Sequence, residues 1–138
     1  HTNENSALDI IENSCVPVAD THSNPRALED NTRNTTDAVM KKLAARGGLL
    51  GITPAIERPH GEKPYKTIPQ DQLDNVMKNI NYAVNIMGVD SVGIGTHFNT
   101  ACLPWVIDRI LAEGYSNNDV YKITGGNFLR VLNNVLPQ

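Results

Sequence analysis

Residues 69–95, PQDQLDNVMKNINYAVNIMGVDSVGIG, place a helix directly before a strand. Pro69 suits the first position of a helix, and the apolar side chains after it recur at helical spacing: Leu73, Val76, Met77, Ile80, Val84 and Met87. Gly88 ends this stripe, and the short apolar run at residues 91–95 is typical of a buried strand. The stretch therefore predicts an amphipathic helix that feeds a strand.

The chain before this stretch repeats the same alternation. Residues 4–13 and 36–46 have helical spacing, while residues 17–22 (PVADTH) and 49–53 (LLGIT) are short apolar runs typical of strands. Alternating helices and strands predict parallel strands joined by right-handed crossovers. The fold class is therefore α/β, with about three parallel strands and covering helices.

The chain after this stretch is predicted to be helical. Residues 103–113 form a helix closed by Gly114, a new helix starts at Ser116, and residues 128–136 form the last one, with Phe128, Leu132 and Val135 facing inward. Residues 54–68, rich in proline and charge, have the composition of a loop and are long enough to form a lid over a site. A purely solvated loop is equally allowed.

Three short strands do not make a self-contained parallel sheet, because such a sheet is normally covered on both faces and has no long open edges. The simplest completion is a (β/α)8 barrel, which usually needs about 250 residues. The 138 residues are then expected to form one unit, residues 1–138, that supplies about three of the eight βα repeats.

The composition excludes several classes of partner. The net charge of −3 comes from 12 basic and 15 acidic residues with no basic cluster, which argues against nucleic-acid binding. No apolar run approaches the roughly 20 residues that cross a bilayer. Cys15 and Cys102 are too few for a disulfide framework and are expected to be two buried thiols. The sequence indicates no cellular compartment.

Three of the four histidines stand where a strand ends or could end: His1, His22 and His97. In a (β/α)8 barrel the carboxyl ends of the strands carry the catalytic residues, and neutral imidazole is the commonest metal ligand. A structural or surface role for each histidine stays open on the pattern alone. His60 lies in the proline-rich loop and is expected to be solvated unless that loop is a lid.

The sequence resembles the membrane dipeptidase (renal dipeptidase) family of the amidohydrolase superfamily. The matching segments cover essentially the whole chain, in order: residues 17–24 (PVADTHSN), Arg26, residues 33–34 (RN), 47–48 (GG), 88–95 (GVDSVGIG), 114–115 (GY) and 125–131 (GGNFLRV). The resemblance implies that the chain is the C-terminal part of a metal-dependent barrel.

The same resemblance implies site residues. His1 and His22 have the separation of 21 residues found for two histidines that bind one ion of the family's binuclear zinc site. Arg33 matches the arginine that clamps the substrate's free carboxylate, a role that suits a planar guanidinium. The family's other metal ligands belong to an N-terminal half, which would come from the same precursor or from another chain.

One segment departs from the family pattern. Residues 95–100 (GTHFNT) stand where the family usually has Asp-Phe-Asp-Gly after the glycine strand. His97 aligns with the catalytic aspartate and Asn99 with the second aspartate. We therefore expect His97 to be the catalytic residue and Asn99 to contribute to substrate binding, with an altered substrate or activity.

The expected function is zinc-dependent hydrolysis of dipeptides or related small amides by metal-activated water. Two alternatives remain: a non-catalytic barrel paralogue that binds a small molecule, and another amidohydrolase acting on a lactone or a β-lactam. The substrate, the compartment and the oligomeric state stay open, and a homo-oligomer is compatible with the sequence.

Overall fold

The computed structural model describes residues 2–56, 67–97 and 100–136. The elements are, in chain order, α1 Glu4–Asn13, β1 Ala19–Ser23, α2 Asp37–Ala45, β2 Leu49–Ile52, α3 Gln70–Met87, a 3₁₀ turn Val89–Ser91, β3 Val92–Ile94, α4 Leu103–Ala112, α5 Asn117–Tyr121, a π-helical turn Lys122–Gly126 and α6 Asn127–Val135. Among the described residues, no helix is long and apolar enough to cross a membrane.

The three strands form one parallel sheet in the order β1-β2-β3. This confirms the α/β prediction, and each predicted strand is found within two residues of its expected start. Because the strands are parallel, their carboxyl ends all lie at one end of the sheet. The predicted site residues His22 and His97 lie at or just after these ends, so the parallel sheet brings them to the same end of the fold.

One face of the sheet packs against the helices. Leu50, Ile52 and Val92 are fully buried and belong to the same core as side chains of α2 and α3, among them Met40, Leu43 and Ile80. At about 25 cal/mol per Å² of apolar surface, this layer is the main source of the domain's stability. Leu49, Gly51 and Gly93 alternate with these residues and lie on the opposite face of the sheet.

The opposite face is contacted by Phe128 of α6. A Cβ added to Gly93 would lie 2.7 Å from the Phe128 ring, and one added to Gly51 would lie 3.0 Å from it. Glycine at these two positions therefore leaves the space that the aromatic ring occupies. The sheet is covered by helices on one face and, in part, by the start of α6 on the other.

Two expectations from the sequence are wrong. Leu132 was expected to face inward but is 44% exposed, because the buried side of α6 runs through Asn127 and Val131, and Leu132 lies about 100° around the helix from Val131. Cys15 is also exposed, since it follows the end of α1 instead of packing inside, whereas Cys102 is buried as expected.

Candidate active site

A bulge at the carboxyl end of β1 positions His22. The register pairs Asp20 with Leu50 and Ser23 with Ile52, so two residues of β1, Thr21 and His22, stand opposite Gly51 alone. A bulge of this kind redirects the side chains that it carries.

Gly51 is required by the bulge. A Cβ at this position would lie 2.3 Å from the Thr21 carbonyl oxygen, which is too close for any side chain. Gly51 of β2 and the two β1 residues opposite it, Thr21 and His22, therefore form one local structure. The direction of His22 thus depends on both strands.

His97 lies directly beside His22. Their ring centroids are 4.7 Å apart and their planes differ by 10°, so the two imidazoles are stacked. Gly95 permits this approach, because a Cβ there would lie 2.0 Å from the Thr21 carbonyl oxygen. The strand ends of β1 and β3 thus meet over β2.

The electrostatic environment favours the neutral form of His97. Partial burial lowers the pKa of the His97 imidazole below its usual value, and the electrostatic effects of His22 and Arg33 lower it further. At neutral pH this ring is therefore uncharged and can accept a proton or a hydrogen bond.

Arg33 reaches the same place from the loop between β1 and α2. Its backbone carbonyl accepts a hydrogen bond of 2.9 Å from the Ser23 hydroxyl, next to His22 in the chain. A cavity of about 270 Å³ has His22, Arg33 and His97 in its lining, together with Asn24, Glu29 and Thr53 among others. A second cavity of about 380 Å³, between α1, β1 and α2, shares His22 and Arg33 with the first.

His22 has the surroundings of a zinc ligand. The Thr21 hydroxyl lies 2.8 Å from Nδ1 of His22, which fixes the ring and suits a histidine that binds metal through Nε2. Over residues 2–56, 67–97 and 100–136, no group of three or more His, Cys, Asp or Glu side chains could hold a metal ion. His22 fits a zinc ligand, but a closed site needs ligands from outside these residues.

Three of the predicted site residues are thus brought together: His22, Arg33 and His97. His1 and Asn99, predicted as a metal ligand and a substrate-binding residue, lie outside the described residues, as does His60. Sequence reasoning missed the bulge, although a glycine inside a predicted strand is a known signal for one. It also missed a set of hydrogen bonds beneath Arg33, for which no sequence signal exists.

Comparison with known proteins gives a consistent family match. The model of the membrane dipeptidase family, peptidase family M19, matches residues 1–136. An uncharacterized protein in the pqqA 5′ region of Klebsiella pneumoniae is 33% identical over 100% of this chain and 54% of its own length. Dipeptidase tcpJ of Claviceps purpurea is 28% identical over 98% of this chain and 33% of its own length. The chain thus spans about half or less of the length of these relatives.

Solved structures agree with this match. The dipeptidase AC, a metallopeptidase of family M19, is 25% identical with a TM-score of 0.80, covering 97% of this chain and 42% of that one. A metallopeptidase from Rhodobacter sphaeroides, solved with a phosphinate mimic of L-Ala-D-Ala, has the same fold, with 22% identity and a TM-score of 0.81 over 99% of this chain and 41% of that one.

Proposed function

Because the chain belongs to the membrane dipeptidase family, peptidase family M19, we propose that it forms one side of the active site of a zinc-dependent hydrolase. The proposed reaction is the cleavage of dipeptides or related small amides by metal-activated water in a complete barrel. The observation that supports it is the meeting of His22, Arg33 and His97 around one cavity of about 270 Å³ at the carboxyl ends of the strands. In a barrel of this class, catalysis takes place at that face.

The metal would be held by His1 and His22, with the remaining ligands of a binuclear site supplied by an N-terminal half. When bound, zinc provides a water nucleophile near neutral pH and polarises the amide carbonyl. The contact between Thr21 and Nδ1 of His22 holds the imidazole in a fixed orientation, which limits the loss of side-chain entropy on binding. Two protein ligands are fewer than the three that a catalytic zinc site normally keeps, so this chain without its partner half should bind zinc weakly.

Arg33 would bind the free carboxylate of the substrate. Its guanidinium can donate two parallel hydrogen bonds to a carboxylate. The resulting ion pair would lie in the cavity that His22 and His97 also line. Asn99 would add an amide contact to the substrate. These two residues orient the substrate, and binding a dipeptide in one direction places its scissile amide at the metal side.

His97 would transfer the proton from the attacking water to the leaving amine. The lowered pKa of His97 keeps the ring neutral, so it can accept a proton but holds it weakly. A histidine here also lacks the negative charge of a carboxylate. Substrates whose leaving group needs less protonation than an amine, such as lactones, are therefore a second candidate class. β-Lactams are the other substrate class of the alternative amidohydrolase hypothesis.

The experiment uses the complete barrel, obtained by expressing this chain together with its N-terminal half. Metal content is measured per barrel, and hydrolysis of dipeptides, lactones and β-lactams is measured before chelation, after it and after zinc is restored. Zinc-dependent cleavage of dipeptides supports the proposal. Cleavage of lactones or β-lactams alone indicates another amidohydrolase, and ligand binding without turnover indicates a non-catalytic paralogue.

A further inference from the structure

The loop that carries Arg33 is closed at its base by backbone hydrogen bonds. The Thr35 N–H donates to the Asn24 carbonyl at 2.8 Å, and the Arg26 N–H donates to the Thr35 carbonyl at 2.9 Å. Pro25 and Thr35 form an isolated parallel bridge at this point. The ends of the loop are therefore fixed to each other, and Arg33 lies two residues from the closure.

Buried hydroxyl groups connect this closure to β1. The Thr35 hydroxyl donates to the Asp20 carboxylate at 2.5 Å and lies 3.0 Å from the Ser23 hydroxyl. The Ser23 hydroxyl in turn donates to the Arg33 carbonyl at 2.9 Å. Ser23 and Thr35 are each 6% exposed, so water has little access to these groups. We call this set the Asp20–Thr35–Ser23 chain.

The Asp20–Thr35–Ser23 chain lies where it can do more than stabilise the fold. Ser23 directly follows His22, the proposed metal ligand, and its hydroxyl bonds to the backbone of Arg33, the proposed carboxylate clamp. The same few hydrogen bonds thus fix the strand residue on the metal side and the loop residue on the substrate side. The single hydroxyl proton of Thr35 goes to the Asp20 carboxylate, and that of Ser23 goes to the Arg33 carbonyl. Removing either hydroxyl would leave an acceptor without its donor and would open space beside the other hydroxyl, which lies 3.0 Å away.

We propose that Asp20, Thr35 and Ser23 are positioning residues: the Asp20–Thr35–Ser23 chain holds the backbone of Arg33 relative to His22, and so sets how tightly Arg33 binds a carboxylate. This inference rests on the proposed function. Its physical basis is that an exposed arginine binds a carboxylate well only when its backbone is held in place, since a misplacement of about 1 Å lowers the efficiency of a positioned group strongly. The three residues act through the position of Arg33.

The test compares two substrates in the complete barrel. One is a dipeptide, and the other is the same dipeptide with its C-terminal carboxylate converted to an amide, which cannot form the ion pair with Arg33. Thr35→Val removes the hydroxyl with little change of shape. We expect it to raise the KM for the dipeptide about 10-fold, the lower end of what an outer-shell partner usually contributes, with kcat and the values for the amide within about 2-fold.

Two further variants separate positioning from stability. Thr35→Ser keeps the hydroxyl and should restore the dipeptide KM. Thr36→Val is the matched control: the Thr36 hydroxyl caps α2 at the Val39 N–H and bonds to Glu4, without a link to Arg33. It should lower the melting temperature but leave the preference for the carboxylate unchanged.

The outcomes decide between the two proposals. If Thr35→Val weakens the binding of both substrates equally, or if Thr36→Val lowers the carboxylate preference as much, the positioning role is wrong.

If the wild-type barrel cleaves no dipeptide, the proposed function fails, and the same variants are compared by calorimetric binding of the dipeptide and its amide. A wild type that prefers the dipeptide, with the preference lost only in Thr35→Val, supports the positioning role. A wild type with no preference refutes it.

Discussion

The two ends of the sheet use their polar residues in opposite ways. At the amino end, the Asn127 side-chain amide donates to the Val89 carbonyl at 2.7 Å and to the Val92 carbonyl at 2.8 Å. Arg130 donates to the Gly47 carbonyl at 2.7 Å and to the Asp90 carbonyl at 2.8 Å. These four bonds tie α6 to the segments that lead into β2 and β3.

At the carboxyl end, the polar side chains of His22, Arg33 and His97 converge on a cavity. Partial burial, followed by the electrostatic effects of His22 and Arg33, lowers the pKa of His97. The amino end of this sheet thus uses its polar side chains to hold α6, whereas the carboxyl end carries the residues of the proposed site, on the face where (β/α)8 barrels place their chemistry.

The largest effect that this comparison predicts is at His22. In the complete barrel, His22→Ala should remove zinc and lower kcat/KM for dipeptides by at least about 100-fold, because an outer-shell partner alone usually contributes 10- to 100-fold and a direct ligand contributes more. Zinc content by elemental analysis and dipeptide turnover would be measured together.

The matched control for His22→Ala is His60→Ala, because the sequence predicts His60 to be a solvated loop residue. It should retain both zinc and turnover. A His22 variant with normal zinc content would refute the role of His22 as a ligand. It would also remove the evidence that the carboxyl end of the sheet carries a metal site.

The next largest effect is on stability and belongs to the amino end. Asn127 is 3% exposed, so Asn127→Ala would leave two buried carbonyls without their donor and should lower the free energy of unfolding by about 2–3 kcal/mol. Denaturant unfolding of the complete barrel measures this. Turnover per folded molecule should stay the same.

The control is Asn133→Ala, at an exposed position of the same helix, which should change the free energy of unfolding by less than about 0.5 kcal/mol. Equal effects of the two variants would contradict the assignment of Asn127 to stability.

Arg33→Ala should have a smaller effect, confined to substrate affinity. Loss of a charge-assisted pair should raise the KM for a dipeptide about 10- to 30-fold with little change in kcat. Steady-state kinetics would separate the two constants. Arg26→Ala is the control, because Arg26 lies in the same loop and pairs with Asp30 at an exposed site. If Arg26→Ala raised the KM as much as Arg33→Ala, the effect would reflect the charge of the loop and not a specific clamp.

The sequence predicted the features that depend on spacing along the chain. Helical periodicity and short apolar runs located the helices and strands, and parallel strands brought His22 and His97 to one end of the sheet. It could not predict the stacking of the two rings, which depends on a bulge and on close approaches at Gly51 and Gly95. The sequence could not predict the Asp20–Thr35–Ser23 chain either. Its side-chain contacts join Thr35 to Asp20, 15 positions away, and to Ser23, 12 positions away.

The smallest predicted effect is at His97, and its sign distinguishes the roles open to this residue. Partial burial and the electrostatic effects of His22 and Arg33 lower the pKa of His97, which favours the neutral ring. An imidazole, unlike a carboxylate, adds no negative charge beside the metal side of the cavity. His97→Asp would supply that charge and should raise dipeptide kcat/KM by about 2- to 5-fold, less than one well-placed charged hydrogen bond contributes. His97→Asn, which is neutral and similar in shape to aspartate, should not. Kinetics of the wild type and both variants would be compared at pH 7. A wild type well above both variants would mean that histidine is the adapted catalytic group, and that the site is fitted to proton transfer by a neutral imidazole.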